Sequence, residues 1–172
     1  MRSTWDNILK KYIHNLVSPD GRNTFESTPE LVKAILQKAK ITSNDTVIDI
    51  GCGWGNLTRE IATYSAHTIG IEPDLNNLNS AKSIKTAYSI EYLQGAFESL
   101  NCSQKIDVVV SSLAFHQVKY SYKTTALKNV KNLLNKNGRF VLCDTMILFD
   151  AENEPEFFDM VYRYLLEKTT PA

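Results

Sequence analysis

Residues 106–111 (IDVVVS) carry almost no polar face. A strand with one side in water alternates apolar and polar residues, so a strand that is apolar on both sides must be covered on both. Together with the earlier run at 46–50 (TVIDI), this stretch demands a sheet sandwiched between helices. The rest of the chain supplies them, because short β-branched runs alternate with longer amphipathic stretches, as in a parallel sheet with helical crossovers. Strands are predicted over 46–50, 67–71, 90–93, 106–111 and 139–148, and helices over 57–64, 75–85 and 122–135. Two helices come first. One places Trp5, Ile8, Leu9, Tyr12, Ile13 and Leu16 on a single face and stops at Ser18-Pro19-Asp20-Gly21; the other opens at Thr28-Pro29 and buries Leu31, Ile35, Leu36 and Ala39. Asn137-Gly138 is expected to end the helix before the last strand, since both residues tolerate a left-handed backbone. A final helix over 154–168 gathers Phe157, Phe158, Val161, Tyr162, Leu165 and Leu166 on one face. The expected fold is α/β, a doubly wound and mainly parallel sheet in one domain spanning 1–172. Residues 1–40 form N-terminal helices, 41–148 the core and 149–172 a C-terminal helix. In such a fold the ligand lies outside the carboxyl ends of the central strands.

Charge narrows the functional classes. Nineteen Lys and Arg balance nineteen Asp and Glu, so no bulk field draws the chain to nucleic acid or an anionic membrane. No apolar run reaches the ~20 residues that span a bilayer. The first twelve residues lack the apolar core of a signal peptide, which implies a cytoplasmic address. Cys52, Cys102 and Cys143 show no CxxC spacing. They read as reduced thiols, with no metal site expected.

The chemistry concentrates in Val47-Ile48-Asp49-Ile50-Gly51-Cys52-Gly53-Trp54-Gly55. An acid sits near the end of a buried strand, and three alternate glycines carry the chain through the following turn. Glycine belongs where the backbone takes unusual dihedrals or touches a ligand, and the helix start beyond it offers free N–H groups. Dinucleotide-binding folds also use a glycine turn here, but their GxGxxG spacing needs a third glycine where this chain has Asn56. Asp49 would also repel a pyrophosphate, and it suits a cationic ligand. Glu72 directly follows the second strand, where a carboxylate can accept both hydroxyls of a ribose.

These residues resemble the class I S-adenosylmethionine-dependent methyltransferases. VIDIGCGWG matches the first motif of that family, and Glu72 its acid after the second strand. Residues 94–100 (QGAFESL) are similar to the segment that covers the adenine, 105–116 (KIDVVVSSLAFH) to the fourth strand and its loop, and 133–144 (LLNKNGRFVLCD) to the L-x-x-G-G turn and fifth strand. The resemblance implies a strand order of 3-2-1-4-5. Its cofactor would be S-adenosyl-L-methionine, released as S-adenosyl-L-homocysteine. By the same resemblance, Gly51 and Gly53, with the intervening Cys52, admit the methionine part and Asp49 orders its amino group. Glu72, followed by Pro73, binds the ribose; Ala96 and Phe97 flank the adenine; Ser111 ends strand four near the methionine part; and Tyr12 closes over the pocket. There are two departures. Ala96 stands where the family usually has Asp, and Asn137-Gly138 replaces two glycines. Some 24 residues follow Leu148, so the family's last two strands are expected to be missing and the exposed edge of strand five to pair with a second copy.

Several of these residues also have ordinary readings. Asp49 can cap a turn, Phe97 and Tyr12 can be core, and Asp144 can cap a strand end. His116 follows strand four, where the methyl acceptor belongs, and is the candidate general base. From Lys119 to Arg139 there are six cations and no acid, either a solvated helix face or a nucleic-acid surface. The expected reaction is methyl transfer by in-line displacement to a small-molecule acceptor. The alternatives are an RNA or protein methyltransferase and a non-catalytic donor-binding module.

Overall fold

A computed structural model describes residues 29–100 and 104–144 together with Glu156, Asp159 and Arg163. The elements in chain order are α1 (Pro29–Ala39), β1 (Thr46–Ile50), α2 (Asn56–Ile61), β2 (His67–Glu72), α3 (Leu75–Ser83), β3 (Ile90–Gln94), β4 (Ile106–Ser112), α4 (Tyr120–Leu133) and β5 (Leu134–Cys143). Short 3₁₀ turns at Phe97–Ser99 and Phe115–Gln117 follow β3 and β4. The sheet is wholly parallel, in the order β3-β2-β1-β4-β5. The order reverses between β1 and β4, so the crevice at their carboxyl ends is the switch point. The first N-terminal face with Tyr12, Cys102 and residues 145–148 lie outside the described residues. Glu156, Asp159 and Arg163 are helical and exposed.

Alternation along the strands divides the core in two. Val47, Val108 and Val110 turn to one side, where Ile35 and Ala39 of α1 and Leu57 and Ile61 of α2 cover them. Ile48, Ile50, Ile69, Ile71 and Val109 turn to the other, beneath Phe97 and Ala126, Val130 and Leu133 of α4. Asp49 shares the parity of Val47 and therefore points toward α2.

The junction between α4 and β5 differs from the sequence expectation. The helix stops at Leu133, and Leu134 is already extended and paired with Ile106. The register then jumps, because Val108 pairs with Arg139, so 135–138 bulge opposite Asp107. Neither Asn137 nor Gly138 takes a positive φ. Gly138 is needed for closeness: a Cβ there would come within 2.9 Å of the Leu134 side chain. Asp107 holds the bulge by accepting from the Asn135 amide at 2.6 Å and from the Thr46 N–H at 2.9 Å.

Arg139 fastens this region to the opposite layer. Its guanidinium donates to the carbonyls of Ala39 and Lys40 at the end of α1 (2.8 and 3.1 Å) and pairs with Asp45 at 3.0 Å. Charged groups make the stronger hydrogen bonds. Arg139→Met should therefore cost about 1–3 kcal/mol in urea unfolding, whereas Lys128→Met on the exposed face of α4 should change stability by less than about 0.5 kcal/mol.

Candidate functional site

The turn after β1 is anchored on β2. The N–H groups of Gly51 and Cys52 both donate to the carbonyl of Ile71, at 2.8 and 3.0 Å. One residue on, the Gly53 N–H donates to the Glu72 carboxylate at 2.9 Å. Gly51, Gly53 and Gly55 all have positive φ, which explains their alternation. Two of them are also pressed by neighbours. A Cβ on Gly51 would collide with the Cβ of Ala114, and one on Gly55 with the hydroxyl of Tyr92.

Glu72 is almost wholly buried, 6% exposed. Besides Gly53 it accepts from the Asp74 N–H at 3.1 Å and, at 3.5 Å, from the Asn77 amide, whose oxygen receives the Trp54 indole N–H at 2.9 Å. A carboxylate offers about four acceptor positions. Three are engaged here, one of them at the limit of hydrogen bonding, so Glu72 keeps capacity for a hydroxyl.

These groups open onto a cavity of about 290 Å³ at the switch point. Of the residues expected to bind a cofactor, Gly51, Gly53, Glu72, Pro73, Ala96 and Phe97 line it. The sequence reading missed Ile50, Asn77, Glu98, Leu113, Ala114, Gln117 and Val118, which complete the wall. Only one left a sequence signal, Glu98, an acid two positions beyond the alanine that replaces the family's Asp. Leu113 carries a different mark, a φ of 52° in a bulky residue. Such a backbone is held only by its surroundings, here a bond from its N–H to the Cys143 carbonyl at 2.8 Å.

The other expected residues lie elsewhere. The Asp49 carboxylate accepts from the Thr58 hydroxyl at 2.7 Å beneath α2. With Gly51, Cys52 and Ser112 it borders a separate space of about 10 Å³, close to the least that admits one water. The Ser112 hydroxyl there is buried without a hydrogen-bond partner among the described residues. Ser111 is turned away and donates to the Ile50 carbonyl at 2.8 Å. Burial, reinforced by Asp49 and Glu72, pushes the Cys52 thiol far above its ordinary range and keeps it protonated. His116 is off the cavity wall, directed to Asp144 at the end of β5. Tyr12 lies outside the described residues. No group of metal-ligating side chains occurs among the described residues, and no described helix is long and apolar enough to cross a membrane.

A larger hollow of about 770 Å³ lies between α1 and α2, bordered by Gln37, Arg59 and Tyr64 among others. It is away from the strand ends and from every residue of the glycine turn except the helix start at Asn56. Size alone does not make it the site.

Gly51→Ala should be costly, since a left-handed non-glycine residue costs ~1–2 kcal/mol and overpacking ~1–3 kcal/mol. A loss of roughly 2–5 kcal/mol in urea unfolding is expected. A loss below about 0.5 kcal/mol would mean that the contact with Ala114 is not fixed.

The description "methyltransferase domain" belongs to the family whose pattern matches residues 41–164. An uncharacterized methyltransferase of Alkaliphilus oremlandii is 31% identical over 150 residues, covering 86% of this chain and 68% of that protein. One of Bacillus mycoides is 33% identical over 112 residues, covering 65% of this chain and 52% of its own. The chain thus spans between half and about two thirds of these relatives. Among solved structures, YcgJ of Bacillus subtilis superimposes with a TM-score of 0.68 at 25% identity, covering 77% of this chain and 57% of that one. An S-adenosylmethionine-dependent methyltransferase of Clostridium acetobutylicum shares the fold with a TM-score of 0.59 at 19% identity, over 82% of this chain and 56% of that one. The parallel 3-2-1-4-5 sheet, the glycine turn with its acid after β2, and these matches together place the chain in the class I S-adenosylmethionine-dependent methyltransferase family.

Proposed function

We propose that the chain binds S-adenosyl-L-methionine in the switch-point cavity and directs its methyl group to a small-molecule acceptor. The observation that carries this reading is the convergence of Gly51, Gly53, Glu72, Ala96 and Phe97 on one cavity. The fit can be judged group by group. Glu72 retains acceptor capacity for the ribose hydroxyls. Phe97, packed edge-on against Phe115 with ring centroids 5.1 Å apart, offers an apolar wall for the adenine. Glu98 supplies an acceptor for the adenine amine that Ala96 lacks. The Ser112 hydroxyl, without a partner among the described residues, stands on the Gly51 side and suits the amino-acid end.

When bound, the donor supplies an activated methyl group on a sulfonium. The task left to the protein is alignment of acceptor and methyl in a water-poor site, a contribution worth up to ~7–11 kcal/mol in well-oriented systems. The Gly51 turn and the Leu113–Ala114 loop set the position of that end of the cavity.

A nucleic-acid acceptor is less favoured, because the basic run is partly engaged within the fold. Arg139 holds the end of α1, and Lys123 donates to the Phe115 carbonyl at 2.9 Å.

Calorimetry with S-adenosyl-L-homocysteine tests the reading. Wild type should bind with one site, NADH should not compete, and Glu72→Ala should weaken binding at least tenfold. Failure of wild type to bind, or NADH binding in its place, would overturn it.

A further inference from the structure

Donor binding leaves one polar pair of the switch-point region unused. The Asp144 carboxylate accepts twice from His116, from its backbone N–H at 2.9 Å and from its ring Nδ1 at 2.7 Å. The Asp144 side chain is 5% exposed and that of His116 is 44% exposed. The first bond alone would cap the 3₁₀ turn. The second has another consequence: a carboxylate only accepts, so the ring proton must stay on Nδ1, and Nε2 is left with its lone pair free on an exposed ring edge. Ala114, which precedes this turn, and Gln117, its last residue, both line the cavity, so His116 belongs to a turn that builds part of the wall. The support is firm, since Leu113 is bonded to Cys143 across the β4–β5 seam and Lys123 clamps the Phe115 carbonyl.

We propose that His116 is the proton acceptor for the methyl acceptor and Asp144 its positioning residue, and that the acceptor is therefore a hydroxyl compound. This rests on the reading of the cavity as the donor site. A neutral amine presents a lone pair without help and a thiol supplies some thiolate near neutral pH unaided, whereas a hydroxyl must lose its proton as it reacts. In the step, the acceptor O–H bond breaks and its proton passes to Nε2. The oxygen electron pair forms the new bond to the methyl carbon, and the pair of the old bond remains on sulfur, which departs as a neutral thioether. Asp144 stabilises the imidazolium, which then releases the proton to solvent at its exposed edge.

The ionisable and charged groups around the pair, among the described residues, are few. Cys143 adjoins Asp144 on β5, and burial raises its thiol pKa. Lys119 precedes α4, and Lys123 within it lies 4.5 Å over the Phe115 ring. Glu98 belongs to the cavity wall. Asp144 is the only one of these groups with a direct bond to the imidazole.

The test uses the chain with ¹⁵N-labelled histidine. At high pH, wild type should show His116 with the proton on Nδ1, and Asp144→Asn should convert the ring to a mixture of tautomers. An Nε2-protonated ring in wild type, or an unchanged tautomer in Asp144→Asn, would overturn the proposal. His116→Gln and Asp144→Asn should bind S-adenosyl-L-homocysteine within twofold of wild type. Loss of binding in these variants would assign the pair to the donor site, whereas loss in wild type itself would sink the donor-site reading instead. A mixture of small phenols, amines and thiols with methyl-labelled donor should yield label on oxygen, with His116→Gln slower by ~10²–10⁴-fold and lacking the fall in rate toward low pH. Label on nitrogen or sulfur alone, none on oxygen, or full activity in His116→Gln would refute it.

Discussion

The structure depends on the seam between the glycine turn and the end of β2. Three successive N–H groups, those of Gly51, Cys52 and Gly53, are spent on Ile71 and Glu72. The turn can follow this course only with positive φ at alternate residues, hence the glycines. Through this seam β1 ends close to β2, Glu72 is brought to the cavity, and Gly51 is pressed against Ala114 of the β4 loop. One short segment thus couples the three strands whose ends form the pocket. Any backbone change at Gly51 is felt in the loop that carries His116.

Much of the fold is legible in the sequence for physical reasons. The two-sided apolar run of β4 forces a covered sheet, the setting in which parallel strands occur. Alternation in β1 and β4 then assigns Val47, Val108 and Val110 to one layer and Ile48, Ile50 and Val109 to the other. The junction at 134–138 was misread because Asn-Gly is a generic turn signal. Local chemistry alone does not reveal that Leu134 already pairs with Ile106, or that Gly138 answers to a close side chain rather than to its dihedrals.

The candidate site divides along the same line. Residues set by chain continuity with a strand end, Gly51, Gly53, Glu72 and Pro73, reach the cavity. Ala96 and Phe97 do so as well, at the start of the turn after β3. Asp49 and Ser111 illustrate the limit. Strand parity sends Asp49 under α2 to Thr58, and Ser111 spends its hydroxyl on Ile50. Asn77, Leu113 and Gln117 escaped notice because nothing local to them announces a role. They are assembled by α3 and by the loop after β4, which long-range pairing places opposite each other. The bond from His116 to Asp144 likewise spans two strands and has no signature in either segment alone.

The central claim is that the site is the cavity built on this seam and not the larger hollow between α1 and α2. Amide chemical-shift mapping on ¹⁵N-labelled chain during titration with S-adenosyl-L-homocysteine separates the two most directly. The largest shifts should fall on Gly51, Gly53, Phe97 and Leu113. Shifts concentrated on Gln37, Arg59 and Tyr64, with the glycine turn unmoved, would contradict the account.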